Sequence, residues 1–266
     1  VPMVIGHEAS GIVSKVGPDV YGLAVGDHVV PVYVANCGRC DMCQEGRPAL
    51  CQPATIANKA GTLIDGTTRL HSDGQIIFHH SGVAAFSEYA VISQNALVRI
   101  DPEIPFEVAA LFGCAVVTGV GSVVNTANVK PGQSVAIVGL GGVGLNALLA
   151  AVMSGAGQVV AVDAKEKKLK IASQFGAHDT FNTNMENCMD EILAVTDGGV
   201  HFAFETAGVS PALDLAYKIT RRGGTTIVAG MPGPEASIML SHLSLSAEER
   251  TIKGSYMGSC VPIRDI

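Results

Sequence analysis

The chain has no tryptophan and is poor in aromatic and charged residues, which make up 5% and 15% of its 266 residues. Basic residues are also scarce: 17 lysines and arginines stand against 24 acidic residues, for a formal net charge of -7. This balance gives no electrostatic surface for DNA or RNA. With 48% hydrophobic residues and 31 glycines, the composition indicates a soluble globular protein of one or two domains.

Targeting signals are missing from the start of the sequence. Val1-Pro2 leads directly to the tripeptide Gly6-His7-Glu8, with no basic region, apolar region or small-residue cleavage site. The sequence therefore predicts a cytoplasmic protein. One uncharged segment, between Lys130 and Asp163, has the length of a membrane span, but a proline and a cluster of glycines interrupt it. A buried strand, turn, helix and strand fit this segment better, so no membrane partner is expected.

Four of the seven cysteines lie within residues 36–52, at Cys37, Cys40, Cys43 and Cys51. A disulfide framework is typical of small secreted chains with an even cysteine count, which this chain is not. The spacing favours a tetrahedral zinc ion held by four thiolates. Four protein ligands leave no open position for water or substrate, so this zinc is expected to be structural. An iron-sulfur cluster or redox role, and disulfides, remain the alternatives.

A second motif lies in the middle of the chain. An apolar run, Ser134 to Val138, precedes the pattern Gly139-x-Gly141-x-x-Gly144; a helical pattern then runs to about Gly155, and a second strand, Gln158 to Val162, ends at Asp163. A strand, glycine-rich turn, helix, strand and terminal acid in this register are typical of dinucleotide binding. The glycines permit a tight turn, close approach to a pyrophosphate and close packing of helix on strand. Asp163 is expected to accept hydrogen bonds from the adenosine ribose.

Strand and helix patterns continue to alternate after this motif and predict a doubly wound parallel sheet, the Rossmann arrangement. Before Val117 the sequence pattern is different: glycines separate short β-rich runs such as "GIVSKV" and "DHVVPVYV". An all-β part followed by an α/β part predicts two domains, with a boundary near 118–125, where a connecting helix begins.

At this point the sequence resembles the zinc-containing medium-chain alcohol dehydrogenases, in their longer, dimeric animal-type form. The likeness follows the chain in order: "GHEASG", the four cysteines, "AFSEYAVI", the pair Gly113-Cys114 and "GLGGVG". It implies a partial GroES-like irregular β-barrel catalytic domain over 1–117, an NAD-binding Rossmann domain over 118–259, and the start of a return to the first domain over 260–266. It also implies a homodimer formed through the Rossmann domain.

The resemblance also implies roles for particular residues. His7 and Cys114 would bind a catalytic zinc, with Glu8 beside it, and Tyr33 would line the substrate pocket. The residues expected to bind NAD are Gly139, Gly141, Gly142, Val143, Gly144, Asp163 and Lys168. Taken singly, a histidine is more often a core or surface residue, and a cysteine a packed thiol. His71, His79 and His80 are interpreted as loop or substrate-channel residues, and Cys188 and Cys260 as packed thiols.

The chain departs from the family pattern in three ways. Family members carry a third zinc ligand, a cysteine, and a proton relay before the "GHE" motif, and further strands and helices at the C-terminus. None is found here, so the chain is expected to be incomplete for catalysis. Thr55 replaces an arginine of the glutathione-dependent formaldehyde branch, which disfavours that branch. The function expected is oxidation of a primary or aromatic alcohol with NAD, and the alternative is a non-catalytic, zinc-stabilised NAD-binding relic.

Overall fold

The computed structural model describes all residues, Val1–Ile266, and they form two compact units. The first contains Val1–Val117 together with Ser259–Ile266, and the second contains Thr118–Gly258. The predicted boundaries lie within one residue of this division.

The first unit is built on short strands. They form two three-stranded sheets with the orders β1-β5-β4 and β2-β3-β6. Val30, Val32 and Val98 are almost fully buried and contribute to the core of this unit. The strands are β1 (Met3–Val4), β2 (Gly11–Ile12), β3 (His28–Pro31), β4 (Leu70–Ser72), β5 (Gln75–His79) and β6 (Leu97–Arg99).

The first unit contains more helix than its short β-rich sequence runs predict. The cysteine segment contains α1 (Asp41–Gln44) and a 3-10 turn at Pro48–Leu50, and α2 (Gln52–Ala60) follows at once. Pro53 lies in the first turn of α2, where a missing N–H costs no helical hydrogen bond. Gly61 ends α2 in the left-handed conformation, with φ of 69°. These local signals, rather than periodicity, account for the unpredicted helix.

A longer helical stretch runs over Phe106–Ala127, in four segments: α3 (Phe106–Ala109), a π-helical segment Phe112–Val116, α4 (Val117–Gly121) and a second π-helical segment Ser122–Ala127. It begins earlier than the predicted start near residue 118. By length and composition alone this helix is apolar enough to cross a membrane, with a mean hydropathy of 1.9. The core helix of a soluble protein meets the same criterion.

The second unit contains one six-stranded sheet in which every pair of neighbours is parallel, in the order β12-β11-β10-β7-β8-β9. The predicted doubly wound fold is confirmed. The strands are β7 (Ser134–Val138), β8 (Gln158–Asp163), β9 (Asp179–Asn182), β10 (Val200–Glu205), β11 (Thr220–Val228) and β12 (Thr251–Gly254). The helices are α5 (Gly142–Met153), α6 (Glu166–Gln174), α7 (Cys188–Val195), α8 (Ser210–Lys218) and α9 (His242–Ala247). A last helix, α10 (Pro262–Asp265), belongs to the first unit.

Both faces of the sheet are buried, which explains the long uncharged sequence between Lys130 and Asp163. Alternate residues of β7 point to opposite faces, with Val135 and Ile137 in one apolar cluster and Ala136 and Val138 in the other. The segment is therefore a strand, a 12-residue helix and a strand, as predicted.

The order of the strands reverses at β7, which has β8 on one side and β10 on the other. In an open parallel sheet, the carboxyl ends of the strands flanking such a reversal form a crevice that binds ligands. The glycine-rich turn follows β7 directly and therefore lies at this crevice.

Candidate functional site

The four cysteines of residues 36–52 converge on one point in the first unit. Their Sγ atoms all lie within 4.8 Å of one another. The Sγ of Cys40 is 3.6 Å from that of Cys43 and 4.0 Å from that of Cys51. A tetrahedral zinc ion with Zn–S bonds of about 2.3 Å requires S–S separations of about 3.8 Å. The donor set and its dimensions therefore fit zinc.

Backbone N–H groups surround these thiols. Cys37 N–H donates to Cys51 Sγ, and Cys40 N–H donates to Cys37 Sγ, both at 3.3 Å. The N–H of Arg39 lowers the pKa of Cys37 to about 6, whereas burial raises the pKa of Cys51 to about 12. Without metal, the cysteine segment therefore contains one thiol that ionises readily, Cys37, and one that resists ionisation, Cys51. Because metal binding requires thiolates, it would release protons here and would strengthen as pH rises.

A second donor cluster in the first unit consists of His7, Glu8 and Cys114, whose ligand atoms also lie within 4.8 Å of one another. Glycines make this convergence possible. Gly6 has φ of +93°, and an added Cβ would lie 2.7 Å from Phe86 Cδ1. Gly113 lies against β3, where an added Cβ would be 2.0 Å from the carbonyl oxygen of Pro31. Cys114 is thereby brought beside a histidine more than 100 residues earlier in the sequence.

The electrostatics of this cluster favour a bound cation. Burial and, to a lesser extent, the Glu8 carboxylate together raise the pKa of the Cys114 thiol to about 11. Burial also lowers the pKa of His7, as does its neighbour His80, while Glu8 opposes this change. His7 is thus a neutral imidazole near neutral pH, the form that binds metals. A nearby zinc ion would stabilise Cys114 as the thiolate.

Glu8 is held in place by the chain itself, since its Oε1 accepts a hydrogen bond from the N–H of Ala115 at 3.1 Å. Two rings adjoin His7: that of Tyr33, edge-on at 4.9 Å between centroids, and that of His80 at 5.3 Å. The sequence interpretation placed Tyr33 at the site but left His80 as one of three loop or channel histidines. Only the folded structure separates His80 from the others.

The other residues singled out in the sequence are not members of this cluster. His71 is exposed on β4, and His79 is fully buried, where its Nε2 accepts from the N–H of Arg69 at 3.1 Å. Cys188 and Cys260 are buried thiols with pKa values raised by burial. No other His, Cys, Asp or Glu residues form a cluster able to hold a metal ion.

In the second unit, the three fingerprint glycines have different surroundings. Gly139 has φ of +101°, and an added Cβ would lie 2.7 Å from the nitrogen of Ala207. At Gly144 an added Cβ would be 1.8 Å from the carbonyl oxygen of Gly139. At Gly141, by contrast, it would meet nothing within 4 Å. The open side of the turn therefore lies at Gly141, where a pyrophosphate can approach the backbone.

Gly142 and Val143 form the first turn of α5. The first N–H groups of a 12-residue helix have no partner within the helix and favour an anion. This end of α5, together with the open face of Gly141, fits the diphosphate of a dinucleotide.

Asp163 lies at the end of β8, beside the same turn. Its Oδ2 accepts from the N–H of Leu140 at 2.8 Å and from Lys168 Nζ at 3.1 Å, and its Oδ1 accepts from the N–H of Lys165 at 3.0 Å. Burial tends to raise the pKa of Asp163, but these donors hold it below its usual range. The carboxylate is therefore charged at neutral pH. The sequence did not indicate its contact with Leu140.

Comparison with known families gives matches over most of the chain. Residues 1–106 match the alcohol dehydrogenase GroES-like domain, and residues 142–265 match the zinc-binding dehydrogenase domain. S-(hydroxymethyl)glutathione dehydrogenase of Escherichia coli is 38% identical over 260 residues, which cover 97% of this chain and 70% of that protein.

Two solved structures are similar over nearly the whole chain. An alcohol dehydrogenase zinc-binding domain protein from Burkholderia ambifaria has a TM-score of 0.94 at 35% identity, covering 99% of this chain and 71% of its own. Benzyl alcohol dehydrogenase from Acinetobacter calcoaceticus has a TM-score of 0.91 at 34% identity, covering 99% and 72%.

Replacing Cys40 with serine should remove one zinc ion per chain and unfold the cysteine segment. A hydroxyl is a poor substitute for a thiolate, and three remaining ligands do not close the tetrahedron. Metal analysis after dialysis, and amide hydrogen exchange over residues 36–60, measure the two effects.

Cys188→Ser is the matched control, because Cys188 is also buried but lies in the second unit. It should leave zinc content unchanged, and both variants should bind NADH within about twofold of the unmodified protein. Protein purified under reducing conditions that holds two disulfides and no zinc would contradict the assignment.

Proposed function

The chain belongs to the zinc-containing medium-chain alcohol dehydrogenase family, and on this premise we propose that it transfers hydride between an alcohol and NAD. The observation that carries the proposal is the convergence of His7, Glu8 and Cys114 within 4.8 Å in a chain that also has the dinucleotide turn at Gly139. Neither feature alone specifies a dehydrogenase. Their combination in one chain supports a metal site together with a dinucleotide site.

His7 and Cys114 are proposed as ligands of the catalytic zinc, and Glu8 as the acidic group beside it. Zinc held there would supply a Lewis acid toward an alcohol oxygen, and a bound nicotinamide would supply the hydride acceptor. The chain's own contribution is to arrange the groups in advance. Cys114 is partly buried, which limits its contact with water, and the N–H of Ala115 donates a hydrogen bond to the carboxylate of Glu8.

The proposed substrates are primary or aromatic alcohols and the corresponding aldehydes. Tyr33 and His80 flank His7 with their rings, which supports an aromatic wall beside the reacting oxygen. Thr55 is exposed on α2, and its hydroxyl donates to the carbonyl oxygen of Cys51 at 3.0 Å. It offers no guanidinium to bind a carboxylate, so we propose that S-(hydroxymethyl)glutathione is a poor substrate. We therefore propose a substrate preference that differs from the one for which the 38% identical relative is named.

Activity is tested with benzyl alcohol and NAD on protein expressed from its own gene, with whatever residues flank this chain. NADH should form faster from benzyl alcohol than from S-(hydroxymethyl)glutathione at equal concentration. His7→Ala should lower the rate at least roughly 100-fold, since it removes a direct metal ligand. Bound zinc should fall from two ions per chain to one.

His71→Ala is the control for His7→Ala, because His71 is exposed on β4 and is not a member of the donor cluster. It should leave both zinc content and rate unchanged. One zinc per chain, with NADH binding but no alcohol-dependent NADH formation, would contradict the enzyme proposal and favour the non-catalytic, zinc-stabilised relic.

Asp163 should make the protein prefer NAD to NADP. Its buried carboxylate would lie beside the adenosine ribose and would repel a 2'-phosphate. Lys168 lies 3.1 Å from this carboxylate, so removing the carboxylate would leave the lysine available to pair with a 2'-phosphate. Asp163→Ala should therefore lower the ratio of the NADP dissociation constant to the NAD dissociation constant by roughly tenfold. Isothermal titration calorimetry with NAD and with NADP measures the two dissociation constants.

Asp190→Ala, on the exposed surface of α7, is the control and should leave the ratio unchanged. Because the pKa of Asp163 is lowered, its charge is present above that pKa and lost only in acid. The NAD preference should therefore be constant between about pH 7 and pH 9, where the carboxylate is charged and a 2'-phosphate carries both of its negative charges. Equal affinity for both cofactors in the unmodified protein would show that Asp163 does not select NAD.

We further propose a cytoplasmic homodimer that associates through the second unit. Strand β12 is at the edge of the sheet, and the segment that precedes it in the sequence exposes apolar side chains, including Met239 at 96% and Leu243 at 73%. Light scattering should give twice the chain mass. Met239→Lys with Leu243→Glu should give monomers, because charges would be buried in the interface. Met153→Lys, at the exposed end of α5, should not, and a monomeric unmodified protein would refute the dimer.

A further inference from the structure

The peptide group between Gly139 and Leu140 is held from both sides by residues at the ends of the two strands that neighbour β7. We propose that Thr206, which follows β10, is a positioning residue for the dinucleotide turn. Together with Asp163 it would fix this peptide before the cofactor binds. The inference rests on the proposed binding of NAD by this turn.

The N–H side of the peptide is held by β8. The N–H of Leu140 donates to Asp163 Oδ2 at 2.8 Å, and both groups are buried, with Leu140 1% and Asp163 9% exposed. A buried hydrogen bond to a charged acceptor is stronger than a neutral one. This contact fixes one end of the peptide dipole.

The carbonyl side is held by Thr206. Its hydroxyl donates to the carbonyl oxygen of Gly139 at 2.6 Å and lies 3.2 Å from that of Val138. Its backbone N–H also donates to the oxygen of Val138, at 2.9 Å, so the residue is in register with the end of β7. The same oxygen of Gly139 faces Gly144, where an added Cβ would come within 1.8 Å. The Gly139 carbonyl therefore has one permitted direction.

Thr206 is itself fixed by the preceding residue. Glu205 is 2% exposed, and its Oε1 accepts from the N–H groups of Ala207 and Gly208, at 2.8 and 2.6 Å. This buried carboxylate folds the chain back directly after β10. The turn places Ala207 against Gly139, where no side chain would fit. A hydroxyl on residue 206 is thereby brought to the Gly139 oxygen.

A peptide fixed on both sides determines the direction of the backbone that follows it, through Gly141 to the first turn of α5. The backbone N–H groups of this segment must all point towards the diphosphate. Holding them in advance lowers the entropy lost on binding. Thr206 would thus raise NAD affinity without contacting NAD. A valine at 206 has nearly the same shape but no donor.

Thr206→Val and Thr206→Ser are compared with Thr226→Val as the matched control. Thr226 is a buried threonine of the same sheet whose hydroxyl pairs with that of Thr220 at 2.8 Å. Hydrogen exchange of the amides of residues 140–145 is measured without cofactor, and the NADH dissociation constant is measured from NADH fluorescence. The absence of tryptophan keeps protein emission low.

Thr206→Val should speed the hydrogen exchange of the amides of residues 140–145. It should also raise the NADH dissociation constant by roughly threefold to tenfold, which is the effect of losing one hydrogen bond. Thr206→Ser should stay within about twofold, and Thr226→Val should alter neither quantity although it destabilises the sheet. If the valine variant is unfolded, Thr206→Ala replaces it.

If the unmodified protein binds NADH and Thr206→Val changes neither the amide exchange nor the NADH affinity, the proposed role of Thr206 is overturned. The proposed function would stand in that case. A matching loss in Thr226→Val would show a general stability effect and would also overturn the role of Thr206. Failure of the unmodified protein to bind NADH would overturn the proposed function and, with it, the cofactor role of Thr206.

Discussion

The close approach of backbone to backbone at Gly139 and Gly144 is the constraint on which the second unit depends. An added Cβ at Gly144 would lie 1.8 Å from the oxygen of Gly139, so α5 can pack against the end of β7 only without a side chain there. This contact sets the start of α5 and the open face of Gly141. The same oxygen accepts from Thr206, and the next N–H donates to Asp163. Three strands therefore determine the geometry of one turn.

The first unit builds its two donor clusters in different ways. The cysteine cluster is local, because Cys37 and Cys51 are 14 residues apart and short helical turns bring their sulfurs together. The cluster of His7, Glu8 and Cys114 is non-local and depends on Gly113 packing against Pro31. Loss of a ligand in the first should unfold a segment, whereas the second depends on the whole unit remaining folded. A structural and a catalytic metal suit these two kinds of site.

Charge is used sparingly in this chain, and the buried charges lie at turns. Asp163 and Glu205 are both nearly inaccessible, and each accepts N–H groups from a loop that follows a strand. Buried carboxylates are costly unless they are hydrogen-bonded, and hydrogen-bonded ones define a single backbone conformation. The two residues thus hold the loops after β7 and β10, where the order of strands reverses. Stability and the proposed cofactor binding would therefore depend on the same groups.

Local patterns in the sequence determined the parallel sheet, the glycine turn and the cysteine ligands, because each depends on residues close together in the chain. The bounds of β7, Ser134–Val138, follow from an apolar run next to glycine. Helix α2 was missed because its signals, Pro53 and Gly61, lie at its ends and not in its periodicity. Tertiary structure alone distinguished His80 from His71 and His79, and brought Thr206 and Asp163 to the Gly139–Leu140 peptide. Those contacts join residues 23 to 73 positions apart, and only the packing of strands and loops decides which side chains meet.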